Sequence, residues 1–172
     1  MTDGRDPQED GKHQLNTPET VDFEELEIGA FVTTTSPVDG RTRTLCKVGL
    51  IPEGIRNHPT VTGHTNTLSV MYAVGGEDEA IDREKHAFPD PVALLRLILA
   101  DPDVIHSDRV PNAVAVSINT AKAQEAGLVH PEQGAAHVRT VIHLAFRDNY
   151  NFIKSVHPRR KLQGEELWNA SS

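Results

Sequence analysis

The chain has 172 residues, 37% of them hydrophobic and 24% charged, with a formal net charge of −8 at pH 7. That length fits one domain, and the single cysteine excludes an internal disulfide. No apolar run approaches the ~20 residues a membrane-spanning helix needs, and Met1-Thr2-Asp3-Gly4 puts an acid where a secretory signal carries bases and then apolar residues, so a cytoplasmic protein is expected.

The negative charge belongs to one end. Residues 1–28 carry nine acids (Asp3, Asp6, Glu9, Asp10, Glu19, Asp22, Glu24, Glu25, Glu27) against Arg5 and Lys12, which leaves the rest of the chain almost neutral. Residues 1–22 are too polar to offset the entropy of ordering, so they are predicted to form a disordered acidic arm.

Glu24–Gly29 reads as a short lead-in turn or helix, and Ala30–Thr35 is β-branched and reads as a strand. Pro37-Val38-Asp39-Gly40 is a turn signal before a returning strand over Thr42–Ile51, where Thr44, Cys46, Val48 and Leu50 share a face. Pro52–Pro59 is a loop. Thr60–Val74 reads as a third extended stretch, bent at Gly63, and 77–88 as a charged connection. Asp90 as N-cap and Pro91 at the first helical position begin a helix to about Ala100, with Val92, Leu94, Leu95, Ile98 and Leu99 as its apolar stripe. Pro111 opens a strand with Val114, Val116 and Ile118 inward and Ala113, Ala115 and Ser117 outward. A short helix from Asn119 or Thr120 to Ala126 ends at Gly127. Ala136–Phe146 is the last long strand, with Val138, Thr140 and Ile142 on one face and His137, Arg139, Val141 and His143 on the other.

The order β-β-β-α-β-α-β groups its strands, which favours α+β with a mostly antiparallel sheet covered by the Asp90 helix; a partly open barrel is the alternative. Residues 23–155 form the domain, and 156–172 a basic, amphipathic tail. The stretch Val114-Ala-Val-Ser-Ile-Asn-Thr-Ala-Lys-Ala-Gln-Glu-Ala-Gly-Leu128 resembles the strand, short helix and turn of double-psi β-barrel domains. The Gly-Asp usual after that turn is replaced by His130-Pro131-Glu132-Gln133-Gly134, and no functional residue carries over.

Phosphate-cradling glycine loops, a G-x-S-x-G elbow, H-E-x-x-H and paired C-x-x-C motifs are all missing, so neither a cofactor nor a metal is expected. His58 and His64 flank a bend but lack a third ligand in sequence; His86 or Asp148 would have to converge on them. Cys46, among apolar neighbours, is expected to be a buried inert thiol. Nine histidines make imidazole the enriched reactive type. His137, Arg139 and His143 share a strand face and, with His64, are the candidate catalytic residues should that face be enclosed: Arg139 to hold a carboxylate or phosphate, a histidine to move a proton. Lys154, His157, Arg159, Arg160 and Lys161 form a basic cluster within eight residues, and Arg159, Arg160, Lys161 and Trp168 are the candidate binding residues.

Three readings follow. The leading one is a non-enzymatic interaction or assembly protein that forms homo-oligomers or joins a larger assembly, and contacts neighbours through its charged tails. The second is a small enzyme with a histidine base beside Arg139, acting on an anionic small molecule. The third is nucleic-acid binding through the basic segment, which eight aromatics in the whole chain do little to support.

Overall fold

Two runs of antiparallel pairing build one sheet. The computed structural model describes residues 15–16, 21–35, 40–76, 88–146 and 150–172. Its strands are β1 (Leu15–Asn16), β2 (Phe31–Thr35), β3 (Thr42–Leu50), β4 (Ser69–Gly76), β5 (Val104–Ser107), β6 (Ala113–Asn119), β7 (His137–His143), β8 (Asn151–Arg159) and β9 (Glu166–Asn169). Its α-helices are α1 (Pro59–Thr62), α2 (Pro91–Ala100) and α3 (Thr120–Glu125). The spatial order β1-β2-β3-β4-β8-β7-β6-β5-β9 leaves two edges, so this is a mixed α+β fold whose sheet is not closed into a barrel. The meander β2-β3-β4 and the meander β5-β6-β7-β8 meet where β4 runs parallel to β8, through Val70↔Asn151, Met71↔Phe152 and Tyr72↔Ile153. Asn151, fully buried, donates from Nδ2 to the Thr67 and Ser69 carbonyls at 2.9 Å each, and its Oδ1 accepts from the Ala145 amide at 2.6 Å. Among the described residues no helix is long and apolar enough to cross a membrane.

The main helix forms where local signals put it. Asp90 Oδ1 accepts from the Ala93 amide at 3.1 Å, an N-cap contribution of about 1 kcal/mol. Leu94, Leu95, Ile98 and Leu99 are buried against Cys46 and Val48 of β3, Val70 and Tyr72 of β4, and the inward residues of β5–β8. Gly49 allows the close approach, since a Cβ there would come within 2.9 Å of Leu99 Cδ1. The opposite face of the first meander has its own core: Phe23, Val32, Leu45, Met71, Ala73, Tyr150 and Phe152. Its rings pack closely, with Phe23–Tyr150 and Phe146–Phe152 centroids both 4.7 Å apart.

A buried lysine pins the lead-in turn over that core. Lys47, 2% exposed, donates from Nζ to the carbonyls of Phe23 at 2.8 Å, Glu24 at 3.2 Å and Leu26 at 2.8 Å. Burial pushes its ammonium below the ordinary lysine value, against the pull of Glu24 and Asp22. The Glu24 carboxylate in turn accepts from the Thr67 hydroxyl and from the Leu68 and Ser69 amides.

Several expectations are revised. The stretch predicted as a third strand from Thr60 begins as helix: His58 Nδ1 accepts from the Thr60 amide at 3.1 Å and Pro59 sits at the helix start, so the cap overrides the β-branched Thr60-Val61-Thr62, and the strand starts at Ser69. The predicted strand order lacks β1, β5, β8 and β9; Leu15–Asn16, expected within the disordered arm, pairs in parallel with Thr33 and Thr34 of β2, and residues expected as a tail complete β8 and supply β9. Trp168 lies on β9 opposite Ile105 and packs on this chain's own core, its indole filling the space a Cβ on Gly54 would need. Ala113, Ala115 and Ser117, expected on an outward face, are buried, because larger side chains stand opposite them: His106 across from Ala115, Arg139 across from Ser117. The Val114–Leu128 stretch does form a strand, a short helix and a left-handed Gly127, but in this open sheet. Most of the expected acidic arm, the Pro37–Asp39 turn and residues 77–87 lie outside the described residues.

Candidate functional site

Alternation along β7 buries Val138, Thr140 and Ile142 and turns His137, Arg139, Val141 and His143 to the other face, as the sequence predicts. On this half of the sheet no apolar cluster among the described residues covers that face; it is the floor of a groove. One lobe, about 570 Å3, is lined by Ser107, Asp108, Arg109, Val110, Arg139, Val141, Arg159, Lys161, Gln163 and Gly164. A smaller lobe of about 200 Å3 shares Asp108, Val110, Arg139, Val141 and Arg159 and adds Thr140, His143, Lys154, Ser155 and His157. The two lobes together hold five permanent cations, Arg109, Arg139, Lys154, Arg159 and Lys161, and one acid, Asp108.

The wall nearest β5 is set by a clamp. The Ser107 amide donates to the Glu165 carbonyl at 2.8 Å and the Glu165 amide to Ser107 Oγ at 2.9 Å. Gly164 between them adopts φ +102°, and a Cβ there would collide with the Ser107 carbonyl. This brings the segment after β8, with Lys161 and Gln163, over Arg139. A register shift between Thr140 and Ile142 makes β8 bulge across from Val141, so consecutive residues Lys154 and Ser155 both reach the small lobe, and the Ser155 hydroxyl lies 2.8 Å from His157 Nε2.

Arg139 is the centre of the floor. Its Nη2 donates to Asp108 Oδ1 at 2.8 Å, with 15% and 10% of the two side chains exposed. Its Nε is buried and, among the described residues, has no partner; nor do Ser117 Oγ, directly opposite on β6, and His106 Nδ1 on β5. His143 is pushed below the ordinary histidine value by burial and by Lys154, against Asp108. His106 is lowered by burial, with Arg139 and His137 adding to it and Glu166 opposing.

The candidate residues do not all come together. Arg139 and His143 share the groove, but His137 lines a separate cleft of about 360 Å3 with His106, Asn119 and Glu166. His64 is exposed at the end of α1, its Nδ1 2.7 Å from the Thr60 carbonyl, and lines neither lobe. Arg159 and Lys161 line the groove; Arg160 between them is exposed and does not. Burial raises the Cys46 thiol above its ordinary value, with Arg96 opposing. Among the described residues no three His, Cys, Asp or Glu side chains are placed to hold a metal ion, and His86 and Asp148 fall outside them. Lys154 and His157 belong to the basic cluster read from the sequence, whereas Asp108, Arg109 and Ser155 were not in any predicted site. The Ser155-x-His157 spacing on one strand was a readable signal; Asp108 and Arg109 had none.

Comparison with protein-family models, curated proteins and solved structures finds no match to this chain.

Proposed function

We propose that this protein binds a small anionic ligand, a carboxylate or phosphate compound, in the groove centred on Arg139. The observation that carries this reading is the state of Arg139 itself. Asp108 fixes one end of its guanidinium, while the buried Nε has no partner among the described residues, at the floor of a groove rimmed by four further cations. The Arg139 side chain keeps 15% of its surface exposed to the groove, so an anion there meets a fixed guanidinium charge reinforced by the cations around it. Among the described residues no Phe, Tyr or Trp lines either lobe, which disfavours the stacked bases of a nucleic acid. An assembly role resting on a free C-terminal tail is the less supported reading, since Arg159, Lys161 and Trp168 are engaged in the chain's own sheet and groove.

The test is isothermal titration with inorganic phosphate and citrate at low salt, on the wild type and on Arg139→Met. Saturable binding that the substitution abolishes supports the reading. Absence of binding to both probes, or equal affinity in the variant, overturns it.

Catalysis on the bound ligand is a second reading, favoured by His143. Held neutral in the small lobe, it can accept a proton from a ligand that Arg139 positions. The predicted general base is thus His143 alone, and turnover of any anionic ester or acid that survives His143→Gln unchanged sinks this second reading.

A further inference from the structure

Charge is sorted unevenly between the groove and the rest of the chain. Five of the 17 Lys and Arg residues line its two lobes, but only one of the 25 Asp and Glu residues does. That one, Asp108, is engaged by Arg139. Arg109, Lys154, Arg159 and Lys161 make no ion pair and no side-chain hydrogen bond among the described residues. Lysines elsewhere are matched: Lys122 pairs with Asp101 and Asp103, and Lys47 donates to three carbonyls. The positive charge is also continuous. Arg139 and Arg159 each line both lobes, and Arg159 pairs with His137, two residues along β7 from Arg139, so the two arginines stand diagonally across the strands, roughly 7–8 Å apart. Five cations less Asp108 leave a formal +4 over one floor. A single phosphoryl group carries about −1.5 to −2 at pH 7 and leaves about half of that unmatched, whereas two bring roughly −3 to −4.

We infer that the ligand presents two phosphoryl groups joined through one oxygen, a diphosphate, held on the floor that Arg139 and Arg159 share between the lobes. One phosphoryl group engages Arg139 and the other Arg159, with Lys154, Lys161 and Arg109 as the surrounding cations. This inference rests on the anion-binding reading and narrows it to a ligand class. The second phosphoryl group gains over a separate ion because it binds intramolecularly. The larger lobe, at about 570 Å3, has room for a diphosphate and a substituent beyond it, so the group can arrive as the free anion or as an ester.

The experiment titrates the full chain with inorganic phosphate, pyrophosphate and isopentyl diphosphate in metal-free buffer at fixed pH and ionic strength. Pyrophosphate should bind roughly tenfold or more tighter than phosphate. Lys154→Ala, Arg159→Ala and Lys161→Ala, all at exposed positions and so compatible with folding, should each weaken pyrophosphate severalfold and phosphate less. Arg160→Ala removes the same charge from a neighbouring exposed position that lines neither lobe, and should leave pyrophosphate close to its wild-type affinity. Isopentyl diphosphate binding tighter than pyrophosphate supports the inference and assigns the group to an ester; weaker binding that still responds to the groove substitutions supports it and assigns the free anion. Pyrophosphate that binds no tighter than phosphate, or that loses as much affinity from Arg160→Ala as from the groove substitutions, overturns the inference. If phosphate binds through Arg139 and the second phosphoryl group adds nothing, only this inference fails. If none of the probes binds, the anion-binding reading fails with it.

Discussion

Asp108 and Arg139, 31 residues apart in sequence, meet at 2.8 Å beneath the groove, and Arg139 Nε has no partner among the described residues. The carboxylate therefore does two opposing things. It fixes the guanidinium in place, and it cancels part of the positive potential that would draw an anion in.

Asp108→Asn separates these effects. Stability should fall by about 1–3 kcal/mol, the range for losing a charged hydrogen-bond partner at a largely buried site. Phosphate affinity should rise in the same variant, because the opposing charge is gone. Urea denaturation beside phosphate titration reads both; a fall in affinity would mean that Asp108 is needed chiefly to position Arg139.

Lys47→Met keeps the length of the side chain and removes three hydrogen bonds. The Phe23, Glu24 and Leu26 carbonyls lose their shared donor, and the turn that covers the second core is released. A loss of about 2–4 kcal/mol is expected from buried acceptors left unpaired. Hydrogen exchange should show faster opening over residues 23–32 than over α2, and uniform exchange across both would contradict the local account.

Acid should weaken the fold through Glu24 and His143. Burial raises the Glu24 pKa, but bonds from Thr67, Ser69 and Leu68 outweigh it and leave the group below 4.5. A folded value below the unfolded one means that this stabilisation is complete above pH 4.5 and is lost as the pH falls through the folded value. His143 has the same sign one step higher: its folded value lies below 6.5, so stability drains as the pH drops beneath 6.5. Glu24→Gln should flatten the denaturant midpoint against pH in the lower window and His143→Gln in the upper. Unchanged slopes in both variants would discount these groups.

Gly54→Ala asks whether β9 is held where the structure puts it. A Cβ at this position collides with the Trp168 indole, which must shift from its place against the core. Overpacking of this kind costs about 1–3 kcal/mol. Trp168 is the chain's sole tryptophan, so its emission should shift to the red in the folded variant; an unshifted spectrum would place the indole elsewhere.

What the sequence made legible was local. Asp90-Pro91 announces α2 through a cap and a fixed φ, and the polar face of β7 follows from strict alternation over seven residues. The missed elements lack such signals. Val104–Ser107 is only four residues long. Asn151–Arg159 loses its period at the Lys154–Ser155 bulge and carries Pro158, and Glu166–Asn169 is a strand because Ile105 and His106 pair with it rather than because of its composition. The groove was half visible. Arg139 and His143 could be placed on one face from their spacing. Asp108, Arg109 and the two lysines arrive from a loop, a bulge and a return segment, which only long-range register brings together.

The parallel join between β4 and β8 has a consequence in time. Every other pairing among β2–β8 links strands that are neighbours in the chain, whereas Val70↔Asn151, Met71↔Phe152 and Tyr72↔Ile153 each bridge 81 residues. Closing so long a loop is entropically the costliest step in assembling these strands, and contacts this distant form slowly. The strand pairs β2–β3 and β6–β7 should therefore gain amide protection before Met71 and Phe152 do, which pulsed hydrogen exchange during refolding would register. The β2–β4 half and the β5–β8 half can each take shape ahead of the join, and the second half carries every residue that lines the groove. Ligand capture would therefore report assembly of that half and can precede closure of the whole sheet.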